Sequence, residues 1–308
     1  MIPSFYDPAK VGELFHENPA RIAESAPDLP PARSDRVRIA AFGIDCQVSF
    51  CHPKGSLFVP GAVEDARRTV EWIYRNVARI TTLVFSLDTH SLHQVFHPVS
   101  WRDSEGRAPR PFTVISSKDV KDGRWIPQHA SLAAAIEYCE RLEKGGKYVL
   151  TIWPYHVLEG GIGNALLPSI HEAALFHGFA RRQDAVFEAK GRHPMTENFS
   201  VLSPEVRELQ GEKLGEFNAR LFDRLMTHDR VYVFGQAKSH CVLSTLRDLE
   251  AECRRRDPSL LRRIYILEDG MSPVPAVPGL DFPALADAGI RDLGAAGMNV
   301  VRTTDDIR

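Results

Sequence analysis

The chain predicts an α/β fold: three layers, with an open parallel sheet of about six strands and helices on both faces. Three observations carry this. Short apolar runs of buried-strand character, such as RIAAFGI at 38–44, TLVFSL at 82–87 and VYVF at 231–234, alternate with segments of helical period along most of the chain. Strand–helix alternation over such a length is the pattern of a parallel sheet covered on both sides. The runs also end, one after another, in residues able to do chemistry, as expected where the carboxyl ends of parallel strands share one edge.

Residues 1 to about 35 are atypical. Val11, Leu14 and Phe15 can form one or two amphipathic turns before the Pro-rich APDLPPARS, so this stretch reads as an N-terminal arm lying on the body or on a neighbouring subunit. From residue 36 to 308 nothing breaks the pattern, and a single domain is expected. Arg38–Ile44 is the first strand. The next helix carries Val63, Ala66, Val70, Ile73, Val77 and Ile80 on one face. Thr82–Leu87 is the second strand. Residues 98–128 hold Trp101, Trp125 and several prolines without helical period, and are expected to be a long loop insertion near the pocket mouth. Ala130–Leu142 is a helix, Lys147–Ile152 a third strand, Asn164–Ala180 a helix and Ala185–Ala189 a strand. Gly215–Met226 is helical and precedes the strand Val231–Phe234. A helix with Val242, Leu246, Leu249 and Cys253 on one face follows. Arg263–Leu267, Phe282–Ala295 and Val300–Thr303 complete the pattern as strand, helix and strand.

Composition narrows the function classes. The chain has 308 residues, 44% apolar and 25% charged, which is ordinary for a globular protein with a substantial core. A formal net charge of −2 offers no basic footprint, so neither nucleic acid nor a membrane surface is an expected partner. Five cysteines without a CxxC motif or regular spacing suggest neither a disulfide framework nor a structural zinc site. No signal pattern or membrane-length apolar run is evident, and a reduced, cytoplasmic protein is expected.

The site residues stand at the strand ends. Cys241 falls on the first turn of a helix that follows a buried strand. Free backbone N–H groups there favour the thiolate, although a buried cysteine is also a common core filler. Asp45 ends the first strand and Lys190 the fourth. Singly they read as a strand-end cap and a solvated charge; together a lysine stabilises a thiolate and a carboxylate takes its proton. Asp88 and His90 are two apart, so an extended chain points both to one side. With His156 they make a two-His, one-carboxylate set suited to Zn²⁺, Fe²⁺ or Mn²⁺, and His97 or His93 could add a fourth ligand.

These pieces, taken in order, resemble the nicotinamidase and isochorismatase-like cysteine hydrolases. The matching segments are Asp45-Cys46-Gln47 with Phe50, GSLFVPGA at 55–62, DTH at 88–90, WPYH at 153–156, Lys190-Gly191, and GQAKSHCV at 235–242. The resemblance implies a catalytic triad of Asp45, Lys190 and Cys241. It also implies a cis peptide before Ala237 and an oxyanion hole made by the N–H groups of Ala237 and Cys241. The Asp88, His90 and His156 set points to the nicotinamidase side, with a divalent metal, zinc first, holding a ring nitrogen. Phe50, Trp153, Gln47 and Phe199 are the implied substrate contacts. Ser239 replaces the family's usual Asp, and Val157 its usual Cys. The expected function is hydrolysis of a small, nicotinamide-like carboxamide to acid and ammonia through a cysteine thioester, in a homo-oligomer. The alternatives are a metal-independent amidase acting on a carbamoyl or ureido compound, and a non-catalytic binding protein on the same fold.

Overall fold

The computed structural model describes residues 2–145, 147–276 and 281–307, so the predicted limits at Met1 and Arg308 lie outside it. Six strands form one parallel sheet: β1 (Ile39–Ile44), β2 (Thr82–Asp88), β3 (Val186–Lys190), β4 (Arg230–Gly235), β5 (Ile264–Leu267) and β6 (Asn299–Val301). Their order across the sheet is β6-β5-β4-β1-β2-β3. The order reverses between β1 and β4, and a sheet of this kind opens a crevice there, at the carboxyl ends of the strands.

Alternation of side chains divides the core into two layers. Ala40, Phe42 and Ile44 of β1 and Val231 and Val233 of β4 face helices α2 (Leu132–Gly145), α4 (Ala219–Met226), α5 (Leu243–Arg256) and α6 (Phe282–Ala295). Ile39, Ala41, Tyr232 and Phe234 face the other way, onto α1 (Ala62–Arg75) and α3 (Pro168–Arg181). Every residue of β1 is buried, which is why its sequence is apolar without alternation. Helix ends carry their own signals. The Asn218 side chain accepts from Leu221 N–H to cap α4, and three arginines close the carboxyl end of α5.

The arm lies on the body of its own chain. Val11 and Ile22 are buried in the second layer, and Phe5 packs edge-on against Tyr74 and Phe176. At its end Asp35 accepts from Arg181 at 2.6 Å and from Thr81 at 2.7 Å.

Two expectations need correction. Lys147–Ile152 is not a strand of the sheet. Only Leu150–Thr151 is extended, in an antiparallel pair with Val114–Ile115, because the place beside β2 is taken by β3, with Asp88 opposite Lys190. Nor is 98–128 structureless. Trp101–Arg102 pairs with Ile126–Pro127, Ser116 and Asp119 form a reciprocal cap on the helix Ser117–Lys121, and Ser117 binds Glu143 of α2 at 2.7 Å. Trp101 is buried, and its Nε1 donates to the Val95 carbonyl at 2.6 Å.

The edge of the sheet depends on close backbone approach at one point. Gly235 has φ +124°, and a Cβ there would lie 2.0 Å from the Ile44 carbonyl oxygen. Gly235→Ala is therefore expected to destabilise the fold by about 3 kcal/mol or more. Thermal unfolding checks this; an unchanged Tm would contradict the close packing of β4 on β1.

Candidate active site

Four neighbouring strands, β4, β1, β2 and β3, deliver Cys241, Asp45, Asp88 and Lys190 to one edge. Asp45 follows β1 in a left-handed conformation, φ +47°, and is fully buried. Ser86 of β2 fixes it, donating its hydroxyl to Asp45 Oδ1 at 2.6 Å and receiving Asp45 N–H at 3.0 Å. Cys241 lies in a π-helical turn, Lys238–Val242, between β4 and α5, and the Gln236–Ala237 peptide that opens the turn is cis. Such turns recur at functional sites.

Lys190 ties these pieces together. Its Nζ is 2.9 Å from Asp45 Oδ2, 2.9 Å from Asp88 Oδ1 and 3.7 Å from Cys241 Sγ, and it donates to the Asn198 carbonyl at 2.7 Å. The two carboxylate contacts are ion pairs rather than aligned hydrogen bonds. Burial disfavours the ammonium, but Asp45 and Asp88 outweigh it and hold Lys190 charged. Burial raises the Asp45 carboxyl, with Lys190 opposing. Burial also pushes the Cys241 thiol well up, against the pull of Lys190 and with Asp45 adding to the rise. The helix start was expected to favour a thiolate; in this buried setting the resting sulfur keeps its proton.

Asp88 faces two ways. Oδ1 meets Lys190, while Oδ2 lies 2.9 Å from His90 Nε2 and 4.0 Å from His156 Nε2. Ligand atoms of Asp88, His90 and His156 all fall within 4.8 Å of one another. Each imidazole presents Nδ1 to a backbone carbonyl, His90 to Gly191 at 3.0 Å and His156 to Pro154 at 2.7 Å. That directs the Nε2 lone pairs to a common centre, as metal-binding histidines require. His97 is similar: Nδ1 meets the Leu92 carbonyl at 3.0 Å, and its buried Nε2 has no partner among the described residues. Its ring lies 6.0 Å from that of His90 and 5.8 Å from that of His156. Burial lowers the pKa of His156 to about 3 and of His97 to about 4, so both are neutral and able to ligate. Burial alone would raise the Asp88 carboxyl, but His90 and Lys190 hold it well below the usual range. Gly191 completes the cradle, since a Cβ there would meet Asp88 Oδ1 at 2.6 Å and His90 Cε1 at 2.7 Å. The other proposed ligand, His93, is elsewhere. It packs on His129, with ring centroids 4.4 Å apart, and lines a separate cavity with Trp101 and Met195.

The pocket above Cys241 is lined by Phe50, Trp153 and Phe199, together with Leu57, Val59 and Val274. Gln47 does not line it. Its amide is used up on the backbone, donating to the Asp88 and Asn164 carbonyls and accepting Asp88 N–H, each at 2.8 Å. Gln47 therefore positions Asp88 rather than touching a substrate. Nor does any residue of 98–128 reach the pocket wall; Phe112 backs Trp153 edge-on at 5.9 Å.

Three contributors escaped the sequence reading. Ser86 left a signal, a lone hydroxyl in an otherwise apolar strand two residues before Asp88. Glu197 and His240 left none. Glu197 lines the pocket, accepts from Trp153 Nε1 at 2.7 Å, and has its carboxyl pushed well up by burial.

No family model matches the chain, and no curated protein does. Solved structures do match. A yeast nicotinamidase bound to the inhibitor nicotinaldehyde superposes with TM-score 0.57 at 17% identity, over 86% of this chain and 99% of that one. A nicotinamidase/pyrazinamidase of Acinetobacter baumanii gives 0.54 at 15% identity, over 88% and 99%. A protein of L. infantum in complex with nicotinate gives 0.50 at 18%, over 88% and 95%. Among the described residues no helix is long and apolar enough to cross a membrane. With its six-stranded parallel sheet and helices on both sides, the chain has the α/β fold of these nicotinamidase structures.

Proposed function

We propose that the protein is a cysteine amidohydrolase that converts a small, nicotinamide-like carboxamide to its acid and ammonia. One observation carries the reading: a single buried ammonium, Lys190, within 2.9 Å of Asp45 and 3.7 Å of Cys241. A buried thiol beside a buried carboxylate is a nucleophile with its base in place, and the lysine keeps the pair from being a bare negative charge.

As substrate enters, the Cys241 proton passes to Asp45 and the sulfur attacks the amide carbon. The N–H groups of Ala237 and Cys241 receive the oxyanion, a contribution of about 3 kcal/mol per donor in comparable acyl-transfer sites. Collapse breaks the C–N bond, and Asp45 returns the proton to the leaving nitrogen, which departs as ammonia. Water then gives a proton to Asp45 and its oxygen to the thioester carbon, releasing the acid and restoring the thiol. Phe50, Trp153 and Phe199 supply flat apolar walls for a planar acyl group.

Asp88, His90 and His156, with His97 beside them, would hold a divalent cation, zinc by the chemistry of the donors. Bound there, it would supply a Lewis acid for a heteroatom of the acyl group. The presence of this donor set at the pocket wall favours the nicotinamide-like reading over a metal-independent amidase.

Ammonia release from a panel of small carboxamides, nicotinamide included, tests the reaction class. Cys241→Ala is expected to reduce turnover to background while leaving the Tm and circular dichroism unchanged; appreciable residual turnover would remove Cys241 from the mechanism. Protein stripped with a chelator is expected to take up one Zn²⁺ per chain. His156→Ala should lose that uptake and His93→Ala should keep it; metal analysis showing equal uptake in both variants would contradict the assigned ligands.

A further inference from the structure

His240 precedes the nucleophile and lines the same pocket, yet nothing in the proposed reaction uses it. It is buried and packed among four aromatic rings. Tyr148 stacks on it at 5.3 Å and 18°, Trp153 meets it edge-on at 5.4 Å, and Phe199 and Phe282 lie at 5.3 and 4.8 Å. Burial lowers its pKa to about 3, so the ring is neutral. One of its nitrogens then carries a hydrogen and the other a lone pair.

Ser239 decides which. The Ser239 hydroxyl oxygen receives Val274 N–H at 3.0 Å and lies 2.8 Å from His240 Nδ1. No other acceptor for the hydroxyl hydrogen exists among the described residues, and a buried hydroxyl rarely leaves its hydrogen unused. Val274 N–H thus donates to Ser239, and Ser239 donates to Nδ1, placing the ring hydrogen on Nε2. Nε2 makes no hydrogen bond among the described residues, and the ring lines the pocket. The result is an uncharged N–H donor, fixed in tautomer and ring plane, beside the nucleophile and without a partner among the described residues. In an apolar pocket such a donor penalises any ligand that cannot answer it.

We propose that His240 is a specificity-determining residue whose Nε2–H selects carboxamides with a hydroxyl or oxo group on the acyl portion over unsubstituted aromatic carboxamides. This rests on the amidohydrolase reading, and the test separates the two. The probes are nicotinamide and its 2-, 5- and 6-hydroxy derivatives, with kcat and KM measured for the wild type, His240→Phe and His240→Gln. His240→Phe keeps an aromatic ring but has no donor; His240→Gln restores a donor without the ring.

The wild type is expected to prefer at least one hydroxy derivative. That preference, read as a ratio of kcat/KM values within one preparation, should fall about 10- to 100-fold in His240→Phe, mostly through KM, and return in part in His240→Gln. An unchanged ratio in His240→Phe, or an equal slowing of all substrates, would overturn the proposal while leaving the amidohydrolase reading intact. If the wild type hydrolyses none of the four, the reading of the reaction falls, and calorimetric binding to Cys241→Ala tests the donor alone. Tighter binding of a hydroxy derivative than of nicotinamide, lost in Cys241→Ala/His240→Phe, supports the proposal; equal or absent binding overturns it.

Discussion

Everything at the sheet edge depends on one buried ammonium. Lys190 sits between two buried carboxylates, Asp45 and Asp88, and a thiol, with a backbone carbonyl as its fourth neighbour. Alone, two carboxylates so close in a low dielectric could not both stay ionised. With the ammonium between them, the site can hold a base on one side and a cation ligand on the other. Taking away one charged partner of such a buried cluster typically costs about 3–5 kcal/mol, because the remaining charges are left uncompensated. Stability and chemistry are therefore coupled at this point. The register that sets Asp88 opposite Lys190 is as much part of the site as the side chains themselves.

Asp88 is the joint between two side-chain clusters. One oxygen belongs to the lysine and the other to the histidine cluster, and its backbone is clamped by Gln47. A cation held by Asp88, His90 and His156 would change the charge seen by Lys190, and through it by Asp45 and Cys241, without touching the sulfur. The polar support around this joint comes from residues outside the pocket lining: Ser86 on Asp45, Gln47 on Asp88, and the Gly191 and Pro154 carbonyls on the imidazoles. Such second contacts fix the orientation that the reacting groups need.

Much of this was legible in the sequence because a parallel sheet buries its strands on both faces. Runs such as IAAFGI and VYVF stand out as uninterrupted apolar stretches, and the Asp45 or Gly235-Gln236 that follows marks the edge. The same signal misplaced Lys147–Ile152. That run is apolar because Leu150 and Ile152 pack into the core, but membership of a sheet is decided by a pairing partner, which local pattern does not reveal. Gln47 was misread for a similar reason. It stands beside Asp45 and Phe50 in sequence, yet its amide is claimed by backbone groups 41 and 117 residues away. His240 was invisible because its meaning lies in Tyr148, Trp153, Phe199 and Phe282, which only the fold assembles.

On the proposed mechanism the Asp45–Lys190–Cys241 cluster makes the Cys241 sulfur a nucleophile toward a carbonyl carbon held against Phe50 and Trp153. An aromatic aldehyde with ¹³C at the carbonyl, such as nicotinaldehyde, reports that step directly by NMR, since thiol addition converts the sp² carbon to a hemithioacetal. A protein-bound sp³ resonance is expected with the wild type and should disappear in Cys241→Ala. Aldehyde bound in the pocket that keeps its sp² shift, or an sp³ resonance that persists without Cys241, would contradict it.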